Sequence, residues 1–442
     1  MIKFIAGLKG VVTLFRKENL VLLFDEDSAI LYSVLTGGIK KLTRNDGKSL
    51  EKFLNLYWEN KLIDSDKEKL ETYLKKMFED NIRKKRLPAE LCKLSECNHL
   101  GRFEIFLTNA CNLDCVYCYA NGGSYGLPPT SMKKEDLLMY LNNLFPNRFD
   151  AVDIVMFFGG EPLLNTDSIW LTCEFFRQLY CNGSIKKIPK YTIVTNGTLI
   201  TEEIAKKLKK YDIQVTVSFD GEKIFQDKLR PYKNGTGSFQ DVLNAIKLLS
   251  KYKIKDLAIE STYTTYHVNK KYSREDLRDY LMKMFPDVKI MIIDCSGNTE
   301  YALNYVNTDI NQEEFEINKM SLSILSKINS KYFHDFSCGS GLNAFILMPN
   351  GDLYPCHQFI INKKYCIGNA TSVNSIGKND YVNTLLDSVK CNNMEPCKHC
   401  WARELCLFCP ATVLYRSNSY INIDICERKR KIYKNLLFKY LS

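Results

Sequence analysis

From Phe103 to Ile293 the chain alternates short apolar runs with longer amphipathic stretches, and few folds accept that order. Runs of four to eight apolar residues separated by helical periodicity are the pattern of repeated β-α units around a parallel sheet. The strand candidates are Phe103 to Thr108, Val152 to Phe158, Tyr191 to Thr195, Ile213 to Ser218, Leu257 to Tyr263 and Lys289 to Ile293. Helical spacing falls between them at Glu202 to Lys209, Asp241 to Lys251 and Arg274 to Phe285. Six strands with crossover helices predict an α/β fold, a partial (β/α)6 barrel whose site lies where the loops converge at the C-terminal strand ends.

At 442 residues the chain is too long for one ordinary domain. Leu20 to Phe24 and Ala29 to Leu35 read as a hairpin, and Ser49 to Trp58 and Lys67 to Asn81 as amphipathic helices. Beyond Ser337 the periodicity weakens and cysteines cluster, which predicts a loop-rich region stabilised by metal. The expected domains are 1–98, 99–330 and 331–442. With 45% hydrophobic and 25% charged residues the chain should fold throughout. It has no apolar run of membrane-spanning length, and lysines interrupt the start before any secretory segment develops. The expected location is therefore cytoplasmic, without membrane attachment. The formal charge of +10 is spread along the sequence, and Arg428 to Lys431 reads as a solvated helix face rather than a nucleic-acid patch.

Seventeen cysteines in a chain of this kind point to metal ligation or redox chemistry rather than disulfides. Directly after the first strand of the barrel stands Cys111-Asn-Leu-Asp-Cys115-Val-Tyr-Cys118. Three thiols on one loop can take three corners of a 4Fe-4S cube and leave the fourth iron open to another ligand. A structural cluster or a zinc loop is the alternative, although zinc normally needs a fourth protein ligand and none lies nearby in sequence.

The CxxxCxxC spacing, with the aromatic Tyr117 before its third cysteine, resembles the signature of the radical S-adenosylmethionine (SAM) superfamily. The resemblance implies that SAM chelates the open iron and is cleaved by an electron from the cluster to a 5′-deoxyadenosyl radical. Gly159-Gly160-Glu161-Pro162 after the second strand matches the family's GGEP motif, which contacts the SAM amino group. Thr195-Asn196-Gly197 after the third strand and Ser218 near the end of the fourth match positions used toward the SAM ribose and carboxylate. Arg230 is a candidate for bidentate pairing with a carboxylate.

The C-terminal cysteines resemble the SPASM domain: Cys338, Gly351-Asp-Leu-Tyr-Pro-Cys356, Cys397-Lys-His-Cys400, Cys406-Leu-Phe-Cys409 and Cys426, with one residue fewer between Cys406 and Cys409 than the family has. The family's crossed ligation implies a first auxiliary 4Fe-4S cluster on Cys338, Cys356 and Cys409, and a second on Cys397, Cys400, Cys406 and Cys426. The first would be one ligand short, leaving an iron open to a substrate thiolate or to Cys366, Cys391 or a non-cysteine ligand. A zinc ribbon is the alternative for the CxxC pairs. Cys92, Cys97, Cys173, Cys181 and Cys295 fit no cluster spacing and read as core or surface residues, with Cys295 also placed to reach the barrel mouth.

The SPASM resemblance implies a peptide or protein substrate. Anaerobic sulfatase-maturating enzymes carry an Asp base directly after the auxiliary cysteine, where this chain has His357, and the substitution counts against that activity. The N-terminal hairpin and helices resemble the PqqD-like winged-helix module that holds the leader of a ribosomally synthesised precursor peptide by strand addition. The expectation is an oxidoreductase that matures such a peptide by a cross-link, specifically a Cys thioether. Carbon-carbon cyclisation, sulfatase-type oxidation and a non-catalytic iron-sulfur scaffold are the rivals. An external donor such as flavodoxin or ferredoxin is implied.

Overall fold

Two strands with unbroken apolar character need cover on both faces, and that requirement organises the first part of the molecule. The computed structural model describes residues 20–33, 38–82, 87–88, 94–295, 299–303, 332–333, 338–390, 393–403, 405–406, 409–416 and 423–441. These divide into two compact units, residues 1–90, 308–338 and 385–442 in one and 91–307 with 339–384 in the other.

In the first unit β1 (Leu20–Phe24), β2 (Ser28–Ser33) and β3 (Ile39–Thr43) form an antiparallel sheet in the order β1-β2-β3. The sequence reading anticipated only the first two strands. Side chains alternate across the sheet. Leu20 and Leu31 pack on Leu50 and Leu54 of α1 (Arg44–Trp58) and on Leu70 and Leu74 of α2 (Asp64–Ile82). Leu23, Ile30 and Tyr32 face the other way, onto Ala402, Leu405, Ile432, Tyr433, Leu436 and Leu437. The C-terminal helix Ile423–Leu441 thus belongs with the N-terminal sheet, and its Lys431 is exposed while Ile432 and Tyr433 are buried. Thr43 starts α1 by accepting from the Asp46 N–H, which satisfies one of the free donors of the first turn.

The second unit carries the β-α repeats. Its strands are β4 (His99–Thr108), β5 (Ala151–Gly159), β6 (Lys190–Thr195), β7 (Ile213–Ser218), β8 (Ala258–Tyr263) and β9 (Lys289–Asp294). Between them run α3 (Lys134–Leu144), α4 (Thr166–Cys181), α5 (Glu202–Lys210), α6 (Lys223–Leu229), α7 (Phe239–Lys251) and α8 (Arg274–Met284). Each expected strand is present, displaced by a few residues at most. All neighbours from β9 to β4 are parallel, and among the described residues the sheet ends at β9, a mixed α/β architecture consistent with a partial barrel.

The region past Ser337 holds more regular structure than its loop-rich sequence predicts. Ala344–Leu347 (β10) adds a seventh parallel strand beside β4, and Asp352–Tyr354 (β11) and Gly368–Asn369 (β12) continue antiparallel. Residues 339–384 therefore extend the barrel sheet. Cys92 and Cys391 lie outside the described residues. Among the described residues no helix is long and apolar enough to cross a membrane.

Candidate functional site: a thiol-lined cavity at the strand ends

Five parallel strands of the second unit, β5 to β9, bring their C-terminal ends to one cavity of about 420 Å³. Strand β5 contributes Met156, Phe158 and Gly159, β6 Val194 and Thr195, β7 Ser218, β8 Glu260 and Thr262, and β9 Ile293 and Asp294. Cys111, Cys115 and Cys118 line the same cavity from the loop after β4.

That loop is tied down from two sides. The Asp114 and Val116 N–H groups donate to the carbonyls of Pro231 and Leu229, and the Gly160 and Glu161 N–H groups donate to those of Thr108 and Ala110. The glycines are required by this close approach. A Cβ on Gly160 would stand 2.2 Å from the Ala110 carbonyl oxygen, and one on Gly123 would stand 2.6 Å from Gly160 Cα, with Gly123 also at φ +90°. Asn109 closes the far side, accepting from the Thr130 N–H at 2.8 Å and donating to the Pro128 carbonyl at 2.7 Å.

Glu161 is buried, and its carboxylate accepts from the Leu163 N–H (3.0 Å), the Thr195 hydroxyl (2.7 Å) and the Asn196 N–H (2.8 Å). Burial raises its pKa while these donors oppose the rise. The side chain read from sequence as an ammonium acceptor lines the cavity and also braces the ends of β5 and β6. Pro162 does not line the cavity and is buried in the first turn of the short helix Pro162–Asn165.

Arg230 grips a carboxylate as expected, and here that carboxylate is the chain's own Asp220. Nε meets Oδ2 at 3.0 Å and Nη2 meets Oδ1 at 3.2 Å, while Nη2 also donates to the Thr262 hydroxyl at 3.2 Å. Asp220 further accepts from the Thr262 N–H and from the Tyr117 hydroxyl, and the guanidinium lies over the Tyr117 ring. Burial alone opposes the Arg230 charge, but Asp220, with Tyr117 and Cys115, holds its pKa well above the usual value. Desolvation pushes Tyr117, half-buried beside Asp220, well up, and Asp220 adds to the rise.

The three thiols feel one another. Burial raises Cys115 to about 12, with Arg230 pulling down and Cys118 and Cys111 adding to the rise. Cys111 is raised by burial, against hydrogen bonds from the Leu113 N–H and Asn196. Such thiols stay protonated without a metal, so any metal they bind must displace protons.

Residues 105–284 match the radical SAM superfamily, and residues 338–401 match SPASM, an iron-sulfur cluster-binding domain. The chain carries a radical SAM domain and a SPASM domain. Their cofactors are SAM and more than one 4Fe-4S cluster. An uncharacterized protein of Methanocaldococcus jannaschii is 41% identical over 148 residues, 34% of this chain and 48% of that protein, so the chain spans about half of that relative. A cysteine-type anaerobic sulfatase-maturating enzyme of Clostridium novyi is 27% identical over 324 residues, 67% of this chain and 83% of that enzyme. The solved structure of native anSMEcpe with bound AdoMet and Cp18Cys peptide superposes with a TM-score of 0.58 at 22% identity, covering 78% of this chain and 98% of that one, a likeness of fold.

The residues of the radical SAM domain fit its cofactors: three thiols share one polar-edged cavity with the strand-end glycines, Thr195, Asn196, Ser218 and Arg230. In the SPASM region Cys397, Cys400, Cys406 and Cys426 also lie within electrostatic reach of one another. Burial raises Cys406 and Cys426, and each is raised further by Cys397 and Cys400. Cys338 and Cys409 belong to the same unit as these four, and Cys356 to the barrel unit, where it is buried after β11. Cys366 donates to the Gly368 carbonyl at 3.1 Å.

Sequence reading missed Asp220, Thr262, Glu260, Asp294, Gly123 and the aromatic rim. Asp220 had a signal, since Phe219-Asp220-Gly221 follows β7 directly. His357 was read from sequence only as the residue that stands after Cys356 in place of an Asp. Its ring stacks on Phe158 (4.6 Å between centroids), and Nδ1 stands 3.6 Å from Oε2 of the buried Glu104. Cys295 does line the cavity, and burial raises it to about 11. Cys97 and Cys173 are buried and Cys181 is exposed.

Proposed function

We propose that the protein matures a ribosomally synthesised peptide, forming an intramolecular thioether between a Cys sulfur and a substrate carbon. In this reading Cys111, Cys115 and Cys118 hold the SAM-binding cluster. Cys397, Cys400, Cys406 and Cys426 hold one auxiliary cluster. When bound, SAM and its reduced cluster would supply a 5′-deoxyadenosyl radical for hydrogen abstraction, and an oxidised auxiliary cluster would accept the electron released on ring closure.

The chain's own contribution is positioning. Gly123, Gly159 and Gly160 bring the cluster loop against the strand ends. Glu161 fixes the β6 end through Thr195 and Asn196. Asp220 aims Arg230 at the cavity it lines, where a carboxylate of SAM is its proposed partner. Met156, Phe158 and Ile293 supply an apolar wall that limits water around the reacting carbon.

The observation that carries the peptide reading is the first unit. Its sheet has β1 and β3 as outer strands among the described residues, and a cavity of about 470 Å³ beside β1 is lined by apolar side chains such as Leu20, Leu22, Trp58 and Trp401 together with the polar Glu51, Asn55 and His399. An outer strand beside such a groove suits a leader bound as an added strand, and tethering it would raise the local concentration of the segment to be modified.

The test is anaerobic reconstitution with iron and sulfide, then SAM, a strong reductant and a short Cys-containing precursor peptide encoded nearby. The expected result is 5′-deoxyadenosine, absent in Cys115→Ala, together with a leader-dependent loss of two hydrogens from the peptide. Similarity to the sulfatase-maturating enzyme favours a second reading, oxidation of a Cys or Ser side chain in a protein. Conversion of a sulfatase-derived peptide without any need for a leader would establish it in place of the first.

A further inference from the structure

The cluster loop is locked to the end of β6 by a closed ring of side chains. The Thr198 backbone N–H, which can only donate, meets Asn196 Oδ1 at 3.0 Å, so Asn196 must present Nδ2 on its other side. That nitrogen donates to Asn112 Oδ1 at 2.8 Å, which turns Asn112 Nδ2 toward the Thr198 hydroxyl at 2.7 Å. The hydroxyl, accepting there, gives its own proton back to Asn196 Oδ1 at 2.7 Å. Every orientation in the ring follows from the first bond.

One N–H of Asn196 remains, and it faces Cys111 Sγ at 3.9 Å. Asn196 is 8% exposed. We infer that Asn196 is a positioning and tuning residue for the cluster, a hydrogen-bond donor held on the Cys111 sulfur by Asn112 and Thr198. A donor on a ligand sulfur stabilises the added negative charge of the reduced cluster more than the oxidised form, so it raises the reduction potential. The electron concerned is the single one that reduces the cluster before SAM is cleaved, and no bond is made or broken in that step. The inference rests on Cys111 being a cluster ligand, as proposed above.

The test is a potentiometric titration of the reconstituted full chain with dithionite and mediators, following the component of the electron paramagnetic resonance signal that Cys111→Ala removes. Asn196→Leu keeps the volume and deletes the donor. The expected result is a more negative midpoint, up to about tenfold less reduced cluster at a fixed potential, equivalent to about 59 mV for one electron. Asn112→Ala leaves Asn196 and Cys111 in place but frees the amide, and it should move the midpoint the same way by less. It decides the matter should Asn196→Leu not retain its cluster. A loaded variant that titrates with the wild type overturns the inference while leaving the cluster assignment intact. A signal unchanged by Cys111→Ala overturns the assignment itself.

Discussion

Replacing Arg230 with Met should destabilise the barrel unit by about 3–5 kcal/mol, the usual cost of leaving one member of a buried ion pair without its partner. The structure explains why this site should sit in that range. Asp220 is fully buried and Arg230 is 8% exposed, so water cannot take the place of the lost guanidinium. Arg230→Met removes two of the donors to Asp220 and leaves the Thr262 N–H and the Tyr117 hydroxyl. Asp220→Asn does the converse and strands the guanidinium over Tyr117. For a unit of this size each kcal/mol is worth about 2–4 °C, so either single variant should melt about 6–20 °C lower. The double variant removes both charges and should cost less than the sum of the two, with a coupling of about 2 kcal/mol or more. Thermal unfolding of the metal-free protein under anaerobic conditions measures all four corners of the cycle. Single variants that cost under about 1 kcal/mol, or effects that simply add, would refute the claim that this buried pair stabilises the barrel unit.

Gly160→Ala places a Cβ 2.2 Å from the Ala110 carbonyl oxygen, a backbone atom that cannot move aside without shifting the cluster loop. Formation of 5′-deoxyadenosine should fall at least about tenfold, a barrier change of about 1.4 kcal/mol, measured by chromatography against wild type at equal iron content. Leu437→Ala opens a cavity between the C-terminal helix and the N-terminal sheet and should destabilise the first unit by about 2–5 kcal/mol, seen as earlier proteolysis of residues 20–82. Glu174 has its pKa lowered to about 2 by the Tyr211 hydroxyl, Arg177 and Lys210. Because the folded pKa lies below the unfolded one, the carboxylate stabilises the fold above about pH 4.5, and that contribution is lost as pH falls toward 2. Tyr211→Phe should flatten this acid limb in melts of the metal-free protein, by under about 1 kcal/mol at so solvated a group.

The barrel was legible because its strands are buried on both sides and its helices on one, so apolar runs and helical periodicity write the order of elements directly into the sequence. The cysteine triad, the paired glycines, Thr195, Asn196 and Ser218 were legible for a related reason: each stands at or just past a strand end, and strand ends of a parallel sheet share one mouth. Roles were harder to read than positions. Glu161 and Arg230 were found by their motifs, yet their hydrogen-bonding capacity goes largely to Thr195, Asn196 and Asp220, partners between 10 and 35 residues away that no local pattern reveals.

The sequence by itself determined the order of the β-α units, the cysteine spacings and the point where the cluster loop leaves its strand. Only the tertiary structure decided which distant segments complete each unit. Val21 to Phe24 and Ala29 to Tyr32 are apolar at nearly every position, which says that both faces of their sheet are buried but not by what. One face is covered by the nearby α1 and α2, and the other by a helix about 400 residues further on, because Ile432, Tyr433, Leu436 and Leu437 present the matching stripe. In the same way β10 joins the barrel beside β4 because a parallel sheet edge leaves backbone donors and acceptors unpaired, and any strand long enough to satisfy them can do so from anywhere in the chain.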